Sequence, residues 1–142
     1  MGNYSSSQYL SDLKNASVTH LSSFEGLSCY VKVAHITDGD TFHLIFKTIQ
    51  SKNAPFVKHR VRMAHYDAPE KNTLLGKEAT EYAEKFIGDK IFWCKFLKND
   101  KYGRPLVELF HKKNDKYSIN QEIIDYGYGK PYEGKGPKFM EQ

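Results

Sequence analysis

No run of apolar residues in this sequence is long enough to cross a bilayer. Its first twenty residues also lack the apolar core of a secretory signal, so export by that route is not expected. Cysteine is scarce. Cys29 and Cys94 stand far apart, each within an apolar run and in no metal-like spacing. Two buried free thiols are the simplest reading, with a single disulfide left open. Asn3 and Asn15 each sit in a glycosylation sequon, which means little in a chain that is not exported. There are no internal repeats and no sign of a second domain.

What is present is enough for one domain with a hydrophobic core. Of 142 residues, 39% are hydrophobic and 14% aromatic, which argues against a disordered chain. The net charge of +4 permits a polyanionic partner, but on charge alone a solvated basic surface is the simpler reading.

Residues 1–25 are rich in Ser, Asn and Tyr and weakly periodic, and they read as a flexible arm in which Leu10 and Leu13 allow a short helix. From Leu27 to Ile36 apolar and polar residues alternate as in a strand. Thr37-Asp38-Gly39-Asp40 reads as a turn in which Asp-Gly supplies a positive φ. A second strand follows, with Phe42, Leu44 and Phe46 on one face. After a loop, a third strand is expected from Phe56 to Tyr66. Ala79, Tyr82, Ala83, Phe86 and Ile87 make one helical stripe, with Gly88 as its C-terminal stop. Strands are expected again over Ile91–Leu97 and Leu106–His111, then a short helix around Ile119–Tyr126 closed by Gly127. This order predicts an α+β, mainly β domain over residues 26–130: a five-stranded barrel with one helix between strands 3 and 4 and a short C-terminal helix. Residues 131–142 read as a loose tail.

Three acidic–basic clusters fall at strand ends, where a barrel brings distant segments together: Asp38-Gly39-Asp40-Thr41, Arg62 through Asp67 to Glu70, and Asp100-Lys101-Tyr102-Gly103-Arg104. Asp40 and Asp67 are placed to share a hard cation, which binds through oxygen ligands; taken alone, Asp38 and Asp40 read more simply as plain turn chemistry. Arg62 lies within a strand, and facing into a barrel it needs an anionic partner, for which a phosphate held by two N–H groups suits. A surface arginine is the other reading. Glu70 follows Pro69 in a rigid turn, where a carboxylate can orient or deprotonate a water.

In order and spacing these three segments resemble the signature segments of the thermonuclease (staphylococcal or micrococcal nuclease) family. Gly76-Lys77-Glu78-Ala79 and Asn120 to Gly127 extend the resemblance, which spans roughly residues 29–130. It implies an OB-fold barrel and a calcium-dependent phosphodiesterase acting on DNA, with RNA left open. It further implies Asp40, Asp67 and the backbone carbonyl of Ala68 as calcium ligands, with Asp38 just outside them. Arg62 and Arg104 resemble the arginines that clamp the scissile phosphate, and Glu70 the residue that handles the attacking water. Lys101 and Tyr102 match positions touching a neighbouring phosphate, and Tyr128 and Tyr132 are candidate platforms for a base. A monomer is expected. The competing class is a non-catalytic OB module that binds single-stranded nucleic acid or a protein; such modules typically lose the acids and arginines that this chain keeps.

Met1-Gly2-Asn3-Tyr4-Ser5-Ser6 fits the N-myristoylation pattern, with Gly2 as acceptor. With no cysteine or basic cluster nearby, any membrane association through Gly2 would be weak and reversible.

Overall fold

The structure, a computed structural model, describes residues 4–16 and 23–135. Gly2 and the tail from 136 onward lie outside the described residues. Strands β1 (Ser28–Asp38), β2 (Thr41–Phe46), β3 (Val57–Met63), β5 (Ile91–Asn99) and β6 (Pro105–Phe110) form a closed barrel in the order β1-β2-β3-β6-β5. All pairs are antiparallel except β3 with β6, the parallel seam at Arg62↔Leu106 and Met63↔Val107 that closes the barrel. Closure leaves no free sheet edge. This is the expected OB architecture.

Alternation fills the interior. Val31 and Val33 from β1, Phe42, Leu44 and Phe46 from β2, Val61 and Met63 from β3, Phe92, Cys94 and Phe96 from β5, and Val107 and Leu109 from β6 are all buried in one core. Each such side chain contributes about 1.5–3 kcal/mol relative to exposure. Cys29 and Cys94 face each other across β1 and β5 as free, buried thiols.

Helix α2 (Leu74–Phe86) is N-capped by Thr73, whose hydroxyl accepts from the Gly76 N–H, and turns Ala79 and Ala83 toward the barrel. Helix α3 (Ile119–Asp125) starts at the Ser118 cap and buries Ile119, Asn120 and Ile123. Asn120 is fully bonded inside: its carbonyl oxygen accepts from Leu109 N–H, and its amide donates to the carbonyls of Ala64 and Val107. It therefore ties α3 to both sides of the parallel seam.

Several sequence expectations need correction. The third strand does not run unbroken to Tyr66. It stops at Met63, His65 takes a positive φ of 74°, and a separate two-residue strand β4 (Tyr66–Asp67) pairs with β7 (Lys130–Pro131). Tyr132 continues that contact, its N–H donating to the His65 carbonyl, so the start of the expected loose tail is paired backbone. Within the N-terminal arm Ser6–Lys14 forms helix α1, capped by Ser5, and none of its residues is buried. Gly39 is not in the left-handed region. It is needed for space, because a β-carbon there would stand 2.9 Å from the Ala68 Cβ and 3.3 Å from the Ala79 Cβ. After α2 the left-handed residue is Asp89, φ 62°, and not Gly88.

Candidate active site

Alternation along β3 decides where Arg62 points. Val61 and Met63 face the core, so Arg62 faces away from the barrel interior, which decides between the inward and outward readings the sequence left open. It is nonetheless only 7% exposed, because other segments cover it. Its Nη2 donates to Asp67 Oδ1 at 3.0 Å and lies 3.5 Å from Asp40 Oδ2, while the Tyr132 ring lies against the guanidinium, 5.6 Å from its centre. The need for an anionic partner is met, and by the two acids themselves.

Asp40 comes from the tip of the β1–β2 hairpin. Asp38 Oδ1 accepts from the Asp40 N–H at 3.1 Å, the local bond that Asp makes in tight turns. Asp40 Oδ1 accepts from the Thr41 hydroxyl at 3.1 Å, and Oδ2 accepts from the Ala68 N–H at 2.9 Å. The tip is further held by the Tyr66 hydroxyl, which donates to the Gly39 carbonyl at 2.7 Å. Tyr66 went unnoticed in the sequence because it read as the end of a strand. Asp67 follows it on β4 and is thereby delivered to Arg62.

Burial pushes the Asp40 carboxyl up, to about 7, with the neighbouring Asp38 adding to the effect; the Ala68 N–H and the Arg62 charge pull the other way without winning. One guanidinium thus serves two buried acids, Asp40 and Asp67. Whether a cation fits can be judged from that donor set. Among the described residues no three His, Cys, Asp or Glu side chains cluster as a metal site. Two buried carboxylates, Asp40 and Asp67, that meet at Arg62 nevertheless offer the oxygen donors a hard divalent cation takes, with waters to complete its shell.

Asp100 shapes the β5–β6 turn. Its Oδ1 accepts from the N–H groups of Tyr102 and Arg104, at 2.8 and 2.9 Å, and its Oδ2 accepts from Arg104 Nε at 2.7 Å. Tyr102 lies against the Arg104 guanidinium, 5.4 Å away, and the arginine remains partly exposed. A groove of about 740 Å³ brings Arg62, Arg104, Lys101, Tyr102 and Tyr132 into one concavity. Asp40, Asp67 and Glu70 do not line it; the two aspartates adjoin it through Arg62.

Two residues lie apart from this constellation. Glu70 is exposed, and its carboxylate makes no ion pair among the described residues, although its carbonyl accepts from the Thr73 N–H and hydroxyl. Tyr128 packs on Tyr82 with ring centres 5.0 Å apart and does not line the groove, whereas Tyr132 does.

A closed five-stranded barrel with buried acids and two arginines beside a groove is an OB-type frame with its charged groups gathered at one end. The chain belongs to the staphylococcal nuclease homologue family, whose model matches residues 60–142. That match begins after the Asp38–Thr41 tip, whose place in the site rests on geometry. Among curated proteins the chain is similar to an "uncharacterized endonuclease" of Escherichia coli O157:H7, 28% identical over 102 residues, covering 72% of this chain and 60% of that protein. A like-named protein of Haemophilus influenzae is 28% identical over 101 residues, covering 71% of this chain and 51% of its own length. The chain thus spans between half and two thirds of these relatives.

Proposed function

We propose that the chain is a calcium-dependent nuclease that hydrolyses phosphodiester bonds of DNA, with RNA as a second substrate to be tested. One observation carries this reading: Arg62 bridges the buried Asp40 and Asp67 and opens into the same groove as Arg104. Asp40, Asp67 and the Ala68 carbonyl would hold the ion. Bound calcium supplies a Lewis acid to a phosphoryl oxygen and makes an attached water easier to deprotonate. Arg62 and Arg104 grip the scissile phosphate by paired N–H groups and offset the charge that grows on its oxygens. Glu70, exposed and outside the groove, is given by the family resemblance the role of accepting the proton of the attacking water. Tyr132 excludes solvent from one side of Arg62, which strengthens that arginine's electrostatic interactions. Lys101 and Tyr102 meet the adjacent nucleotide.

The test is incubation of the full chain with single- and double-stranded DNA and RNA, with calcium and with excess chelator, alongside a thermal melt on calcium titration. Cleavage restricted to calcium, with a rise in Tm that Asp40→Asn abolishes, is expected. Full activity in chelator would refute the metal. Strand binding without cleavage under any condition would leave the non-catalytic OB module instead.

A further inference from the structure

Strand β3 carries Lys58, Arg60 and Arg62 at alternate positions, so all three share the face turned away from the core. Successive members of the row are about 7 Å apart along the strand. Only Arg62 is covered; Lys58 and Arg60 are exposed. Their partners in register on β2 are Ile45 for Lys58 and His43 for Arg60, and on β1 these lead to Lys32 and His35. No acid occupies any of these positions. None of Lys32, His35, His43, Lys58 or Arg60 makes an ion pair, among the described residues. Elsewhere the sheet does pair its charges, with Lys95 opposite Glu108. A solvated wall normally mixes both signs, so a run of one sign leading into a site marks a surface for an anion. The field registers on His43, whose proton is held less readily because of partial burial and then the neighbouring His35, Lys58, Arg60 and His59.

We propose that the outer wall of β3, flanked by β1 and β2, is a track for the backbone of a single-stranded nucleic acid, with Lys58 and Arg60 each taking one phosphate upstream or downstream of the one at Arg62. The proposal rests on the nuclease reading and extends it to substrate length. A single strand fits because it can follow one β-strand row cation by cation, whereas a stiff duplex must meet the wall as a rod. A lipid surface fits less well, since the row ends at a guanidinium buried under Tyr132.

The experiment titrates a labelled 20-nucleotide single strand with the full chain in chelator, at several salt concentrations, and separately measures cleavage of a dinucleotide, which carries only the scissile phosphate, in calcium. For Lys58→Ala/Arg60→Ala, the slope of log affinity against log salt should fall by about 1.4, from roughly 0.7 per lost phosphate contact, with about tenfold weaker binding near physiological salt. Dinucleotide cleavage should not change, and Lys58→Arg/Arg60→Lys should bind as the parent does. An unchanged slope and affinity in the alanine variant would overturn the track. So would loss of binding to phosphatidylserine vesicles with strand binding intact. If the parent cuts nothing, the nuclease reading fails alone, because the titration still decides whether Lys58 and Arg60 hold a strand.

Discussion

The carbonyl oxygen of Glu70 fills the space where a β-carbon on Gly76 would stand, only 1.7 Å from that point, with the Glu70 carbonyl carbon at 2.5 Å. Both obstacles are backbone, so neither can swing aside. Gly76→Ala must therefore push the Pro69–Glu70 turn off the start of α2. The expected cost is roughly 3 kcal/mol by urea denaturation, at the upper end for an overpacked site, together with loss of activity in the folded fraction. A variant as stable and active as the parent would show that the turn is not pinned.

The two arginines should separate by stability and agree by activity. Arg62→Ala leaves two buried acids without their shared cation, a change expected to cost about 3–5 kcal/mol, whereas the partly exposed Arg104→Ala should cost about 1 kcal/mol or less. Arg62→Lys and Arg104→Lys keep the charge and lose the fork, and each should lower kcat by about 10²–10³-fold. Near-parental kcat in both lysine variants, with folding intact, would remove the clamp.

Glu70→Gln keeps the shape and removes the base. Single-turnover cleavage should slow by roughly 10²–10⁴-fold, while strand affinity and the calcium-induced rise in Tm stay as in the parent. An unchanged rate would leave Glu70 a surface residue, and a lost Tm shift would make it a ligand.

Asp100 sets an acid limit on stability. Burial raises its carboxyl, but the Arg104 N–H and guanidinium and the Tyr102 N–H outweigh burial and hold it below its ordinary 3.8. The unfolded chain then takes up this proton more readily than the folded one. The stabilisation is therefore complete above 3.8 and drains away as pH falls below that value through the folded pKa. Asp100→Asn should flatten this limb in acid urea titrations, and an identical limb in both proteins would contradict the assignment.

The barrel was legible because its strands bury one face each: Phe42, Leu44 and Phe46 announce β2 by period alone. The covering of Arg62 was not. It comes from Asp67 on the two-residue β4 and from Tyr132 just past the two-residue β7, strands too short to carry any period, and Tyr132 lies in a stretch whose Gly, Pro and Lys content reads as loose. Likewise Asp-Gly at 38–39 looks like a positive-φ turn, whereas the glycine answers to the crowding of Ala68 and Ala79, which only the fold brings near. Among ten tyrosines, nothing local separates Tyr132 in the groove from Tyr128 stacked on Tyr82.

The bonds of Asn120 to both sides of the β3–β6 seam, and the pairing of Lys130–Pro131 with β4, give the molecule an order of assembly. A growing polypeptide that has left the ribosome only as far as β6 holds all five barrel strands but neither the asparagine that locks the seam nor the tyrosine that roofs Arg62. It carries Asp40, Arg62, Asp67 and Arg104 in an unfinished cleft. On the nuclease proposal, competence to cut would arrive only after the segment at 130–132 has emerged and paired with β4. Release of stalled chains of increasing length, assayed for cleavage, should show activity switching on only past Tyr132.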